Sequence, residues 1–126
     1  MEGVYVFRVA FRLEPESDVR VRPRSFETTL RRRADAPGDD GWLFFRDNLW
    51  RGDVANHDHA CALASDALGV PVDDVEFRSL RADREYVDAL REAVAADLAP
   101  FNAEDVDDAL GKYLGSSIDV VDDPTP

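Results

Sequence analysis

The 126-residue sequence predicts a two-layer α+β domain: an antiparallel sheet of three to four strands with about three helices packed on one face. Three observations predict it. Apolar residues alternate with period two early in the chain. Later they recur at spacings of three and four, and no repeat, low-complexity tract or linker separates the two regions. At about 100–150 residues per domain this is a single domain, drawn over residues 1–121 with 122–126 as a frayed acidic tail.

The first strand is the clearest element. In residues 3–13, Tyr5, Phe7, Val9, Phe11 and Leu13 face one way, and Val4, Val6, Arg8, Ala10 and Arg12 face the other. Glu14 to Asp18 turns the chain. Arg20, Arg22 and Arg24 follow at period two, but Pro23 confines any strand there to an edge. Ser25 to Arg33 reads as a second strand, with Phe26, Thr28 and Leu30 on one side. Asp35 to Gly41 has the composition of a hairpin turn. Trp42-Leu43-Phe44-Phe45 then predicts a third strand, apolar on both faces and therefore central.

The period changes next. Val54, His57, Cys61, Ala64 and Leu68 mark a helix of about four turns, stopped by Gly69 and Pro71. Val75, Phe77 and Leu80 indicate a short fourth strand. Asp83 caps a second helix carrying Val87, Leu90, Val94 and Leu98. Asn102, with Asp105 three residues on, opens a third helix with Val106, Leu110, Tyr113 and Leu114 inward. Ile118 to Val121 forms a last strand or a hydrophobic tuck.

Composition narrows the class of protein. There are 27 acidic and 15 basic side chains, for a net charge of -12. Asp outnumbers Glu 19 to 8, and 14 Arg stand beside a single lysine, Lys112. Dense short carboxylates with almost no Lys suit a cytoplasm of molar salt, where a Debye length of about 3 Å at ~1 M screens self-repulsion and the acidic surface holds solvent cations. Residues 1–60 carry -1 and residues 61–126 carry -11. No apolar run approaches the ~18 residues of a membrane span, and no leader-like segment opens the chain. One cysteine, Cys61, excludes an intrachain disulfide. The expectation is a cytoplasmic protein with no membrane contact.

Both tryptophans fall within Trp42 to Asp53, a segment that also contains Arg46, Arg51 and the triplet Leu49-Trp50-Arg51. With the acidic, lysine-poor composition, that triplet resembles the LWR-salt proteins of halophilic archaea over most of the chain. The resemblance implies a haloarchaeal cytoplasmic protein and brings no activity, ligand or catalytic residue with it. Physically, Trp50 beside Arg51 pairs a flat apolar surface with a planar cation, a combination enriched at interface hot spots. The structural alternative has Trp50 plugging a sheet-to-helix junction while Arg51 caps carbonyls or pairs with Asp47 or Asp53.

His57-Asp58-His59-Ala60-Cys61 gathers both histidines and the only thiol, donors that suit zinc or copper. On a helix His57 and Cys61 share a face, whereas His59 is rotated by about 200°. A site would need Asp53 or Asp58 from tertiary placement, and a core role for His57 and Cys61 is the simpler reading. No nucleophile elbow, phosphate loop, dinucleotide fingerprint or zinc-protease motif occurs, so no cofactor is expected. An RNA surface built on the N-terminal Arg residues with Phe26 or Trp42 is disfavoured. Four phosphate contacts taken from ~0.15 M to ~3 M salt would lose roughly 4–5 decades of affinity.

The function expected from sequence is therefore a non-enzymatic protein-binding or assembly module, meeting a protein partner or a second copy. Its contacts are expected on the outer strand face (Arg8, Arg12) and at the corner of Trp42, Leu49, Trp50 and Arg51. The alternatives are a metal protein or small enzyme centred on His57, His59, Cys61 and Asp53, and an RNA-binding protein using the N-terminal Arg and aromatic strands.

Overall fold

Strand β1 (Gly3–Arg12) is the axis of the sheet and follows its sequence alternation. Tyr5, Phe7 and Val9 are buried, and Val6, Arg8 and Ala10 on the other face are half-buried. The structure, a computed structural model, describes residues 1–13 and 25–124. The turn expected at Glu14 to Asp18 and the arginines Arg20, Arg22 and Arg24 lie outside the described residues. So does the end of the expected tail, residues 125–126; within it, Asp122 and Asp123 are exposed and Pro124 is buried.

β2 (Ser25–Arg33) pairs antiparallel with β1 over nine residues without a register break. The third strand expected at Trp42 to Phe45 is absent. Phe44–Asn48 forms a one-turn helix, α1, preceded by a turn holding Trp42 and Leu43. A four-residue apolar run can be buried by a strand or by a helix wedged between two packed surfaces, and its periodicity does not choose. Here Phe45 stacks on Phe101 with centroids 5.7 Å apart, while Phe44 lies 4.8 Å from Tyr5.

The central position passes instead to β5 (Val72–Ala82), antiparallel to β1 on the side opposite β2. The sequence reading gave it only a short strand because register shifts at Val6/Phe7 and Ala10/Phe11 break its period. Between these elements come β3 (Leu49–Trp50) and β4 (Asp53–Val54), a small hairpin, and α2 (His57–Leu68). α2 starts later than expected because Val54 belongs to β4, and Asn56 caps it by accepting from His59 N–H at 3.0 Å.

α3 (Arg84–Ala96) is capped by Asp83 as the sequence indicated, and buries Tyr86, Val87, Leu90 and Val94. After a 3₁₀ turn at Ala99–Phe101, α4 (Val106–Leu114) is capped by Asp105, not by Asn102. Asn102 takes the left-handed conformation that ends the 3₁₀ turn. β6 (Ile118–Val120) then runs parallel to the end of β5. The sheet order is β2-β1-β5-β6, so one parallel pair departs from the all-antiparallel expectation. The four helices of the described residues pack against this sheet around one apolar core that includes Tyr5, Phe45, Leu49, Leu80, Phe101 and Leu114. The fold class is mixed α+β, as the sequence predicted.

Candidate functional site

Leu49-Trp50-Arg51 is the first strand and turn of the β3–β4 hairpin. Trp50 faces Asp53 across a two-residue turn, Arg51-Gly52, and both turn residues have positive φ, 53° and 85°. That is the sign required of a mirror-image hairpin turn. The turn sits on the C-terminus of α4: Arg51 N–H donates to the Lys112 carbonyl at 2.8 Å and Gly52 N–H to the Tyr113 carbonyl at 3.0 Å. These carbonyls lack partners within the helix. Leu49 is buried and out of a partner's reach. Trp50 is 45% exposed, with its ring edge-on to Tyr113 at 5.8 Å and the Arg51 guanidinium 5.5 Å from its centroid.

The triplet thus closes a helix end through main-chain atoms. Among the described residues Arg51 pairs with neither Asp47 nor Asp53: Asp47 holds Arg46 at 2.9 Å, and Asp53 accepts from Val54 N–H at 2.8 Å. The fit is close, since a Cβ on Gly52 would stand 3.2 Å from the Leu114 carbonyl oxygen. Gly52→Ala is therefore expected to lower stability by about 1–2 kcal/mol from the left-handed backbone alone, with crowding added. A denaturant midpoint measurement checks this, and an unchanged midpoint would contradict the turn geometry.

The outer sheet face is occupied by its own charges. The Arg8 guanidinium meets three carboxylates: Glu27 at 2.6 Å, Asp74 at 2.8 Å and Glu76 at 3.1 Å. Arg12 holds Asp73 at 2.8 Å. These contacts span β2, β1 and β5 and commit Arg8 and Arg12 to cross-strand pairing. Arg8→Met is expected to weaken folding at low salt, because three neighbouring carboxylates lose their shared cation, and to recover in molar KCl. Equal losses at both salt concentrations would contradict that electrostatic origin.

His57 and Cys61 share one face of α2, with the sulfur 3.7 Å from Nε2, but this face is not a buried stripe. His57 is exposed and donates from Nε2 to Asp74 at 2.8 Å, and Cys61 is half-buried. The His57 hydrogen bond, followed by Arg8, holds the Asp74 carboxyl below its ordinary range. Burial, then the neighbouring carboxylates Asp74, Asp58 and Asp73, pushes the Cys61 thiol up, away from the thiolate that metals and electrophiles need. His59 is exposed, and Asp53 faces the β5 main chain near Phe77 N–H at 3.5 Å. Among the described residues no group of three His, Cys, Asp or Glu could hold a metal ion.

β2 stands where the sequence predicts it, but its place at the edge of the sheet was not expected. Its far edge is paired with no described strand. Seven of its nine residues are exposed, and only Phe26 and Leu30 are half-buried. Among the described residues Arg31 and Arg33 have no carboxylate partner, and the Arg32 guanidinium lies 4.4 Å over Phe44. Beside β2, a groove of about 190 Å³ runs towards α2 and is lined by Phe7, Leu30, Phe44, Leu63, Ala67 and Val75. Small residues at Ala60, Ala64 and Ala67 leave it open. Trp42 packs edge-on to Phe45 and Phe101 rather than standing free as a stacking platform. The signal available in sequence was a nine-residue run without Pro or Gly, polar on one face and apolar only at Phe26 and Leu30 on the other, which is edge-strand composition.

No helix among the described residues is long and apolar enough to cross a membrane. No curated protein and no solved structure matches the chain. A family model described as LWR-salt protein matches residues 1–124, spanning the Leu49-Trp50-Arg51 hairpin, the charged outer face and the β2 edge together. The chain belongs to the LWR-salt protein family.

Proposed function

We propose that this chain is a non-enzymatic assembly module that works by accepting a further strand on the β2 edge. The observation that carries this reading is a regular, exposed nine-residue edge strand whose outward N–H and C=O groups have no described partner. Such an edge templates pairing: main-chain hydrogen bonds supply affinity, and alternate side chains supply specificity. Leu30, Phe44 and Leu63 beside it offer apolar area to whatever docks. The medium is a cytoplasm of molar salt, a reading supported by the 19 Asp and single Lys. There, solvent cations gather on the acidic surface. Secondary structure is expected to weaken at ~0.1 M KCl, where the Debye length is about 10 Å, relative to ~3 M, where it is below about 3 Å. Identical circular dichroism spectra at the two concentrations would contradict the salt adaptation.

Position-specific photo-crosslinking in cells tests the contact surface. A photoreactive residue at Arg31 is expected to form a protein adduct, and one at Arg91 on α3 is expected not to. Absence of an adduct at Arg31 would overturn the reading.

A further inference from the structure

We infer that the strand completing this edge is β2 of a second copy, antiparallel about a two-fold axis through Thr29. This rests on the edge reading above and names its occupant.

The order of residues along β2 is self-complementary. Ser25 and Glu27 lie near its start, and Arg31 and Arg33 at its end; all four point to the outer face with Thr29 between them. In an antiparallel pair, opposed residues point to the same side of the sheet, so a copy must be shifted in steps of two residues. The register that pairs all nine residues places Thr29 opposite Thr29, Glu27 opposite the copy's Arg31, and Ser25 opposite its Arg33. A two-fold axis forms each unlike pair twice. Arg31, which has no carboxylate within its own chain among the described residues, gains one. Glu27 is 65% exposed beyond its contact with Arg8, leaving room for a second cation.

The inner face agrees. Phe26, stacked on Phe11 at 5.7 Å, falls opposite the copy's Arg32, and Thr28 falls opposite its Leu30. The two-fold axis is perpendicular to the sheet, so both helical layers lie on one side and the two apolar grooves face each other across the junction. Leu63, 41% exposed on α2, lies in that groove lining. The β2 edges are covered, removing an open template for indiscriminate pairing.

Sedimentation equilibrium, at the lowest salt that keeps the chain folded by circular dichroism, tests the arrangement. The unmodified chain is expected to be a dimer. Arg31→Glu, which opposes two acidic residues twice, is expected to raise the dimer Kd at least about tenfold, the effect of roughly 1.4 kcal/mol. Glu27→Arg with Arg31→Glu restores unlike pairs and is expected to restore association. If either variant fails to fold, Thr29→Cys in a Cys61→Ser background decides. Directly opposed Cβ atoms stand about 4.5–5.5 Å apart, so mild oxidation is expected to link the copies at position 29. Arg33→Cys, set opposite Ser25, is expected to link poorly. A monomer, or a dimer indifferent to Arg31→Glu without a linkage at 29, would overturn the inference. A monomer that still gives an adduct from Arg31 to a different protein leaves the edge reading intact, whereas no adduct removes both.

Discussion

Leu49→Ala is expected to destabilise the protein by about 2–5 kcal/mol, and Trp50→Ala by about 1 kcal/mol. The neighbouring residues differ because they do different physical work. Leu49 is 1% exposed and reaches the core from the first strand of the small hairpin, so truncation leaves a cavity among side chains that cannot close it. Trp50 keeps nearly half its surface in solvent and contributes an edge-on contact with Tyr113. The hairpin's hold on α4 runs through the main-chain N–H groups of Arg51 and Gly52, which Trp50→Ala leaves in place. Denaturant midpoints measure both. Equal losses would mean that Trp50, and not the backbone turn, secures the helix end.

Alkali is expected to unfold the chain cooperatively between about pH 10 and about pH 12. Tyr5 and Tyr86 are each 1% exposed. Burial raises both phenols, Tyr86 to about 12, and Tyr5 further because Tyr86 adds to the effect of its burial. A folded-state pKa above the unfolded value means that the contribution to stability is complete below the unfolded value and is lost as pH rises through the folded one. Phenolate absorbance and circular dichroism are therefore expected to change together. Tyr86→Phe removes one of these groups and is expected to move the alkaline midpoint upward. It also weakens folding at neutral pH by about 1 kcal/mol, because the Asp35 carbonyl loses the hydroxyl that donates to it at 3.0 Å. Phenol ionisation well before the loss of structure would contradict the burial of both rings.

The elements with one strong period were legible in sequence. β1, β2 and α3 stand close to their expected bounds because a single face of each meets the core, and Asp83 supplies an unambiguous cap. Trp42 to Phe45 misled because every residue is apolar, so the pattern carries no period to read. β5 was shortened because its register shifts carry Phe77 and Leu80 to the same core at a spacing of three. The parallel β6 depends on how α4 returns the chain, which no local pattern encodes.

The candidate surfaces divide in the same way. The sequence placed Arg8 and Arg12 together on one face, but their carboxylate partners come from residues 27 and 73–76 and depend on strand order. Leu49-Trp50-Arg51 was conspicuous as a motif, and its task of closing α4 appears only when residue 112 is brought beside residue 51. That no described strand pairs with the far edge of β2 follows from topology: had Trp42 to Phe45 formed the expected hairpin strand, that edge would have been covered. The net charge of -12 favours dispersal, while Arg31 and Arg33, with no carboxylate partner among the described residues, mark the place where association meets least repulsion.

Residue-resolved amide hydrogen exchange along β2 tests the assembly reading most directly. In the associated protein, the alternate amides of residues 25–33 that point away from β1 are expected to be protected, and dilution to monomer is expected to release them while the β1-bonded amides stay slow. Outward amides that exchange freely in the associated state, with new protection at the Leu49-Trp50-Arg51 turn or on the Arg8 face, would contradict it.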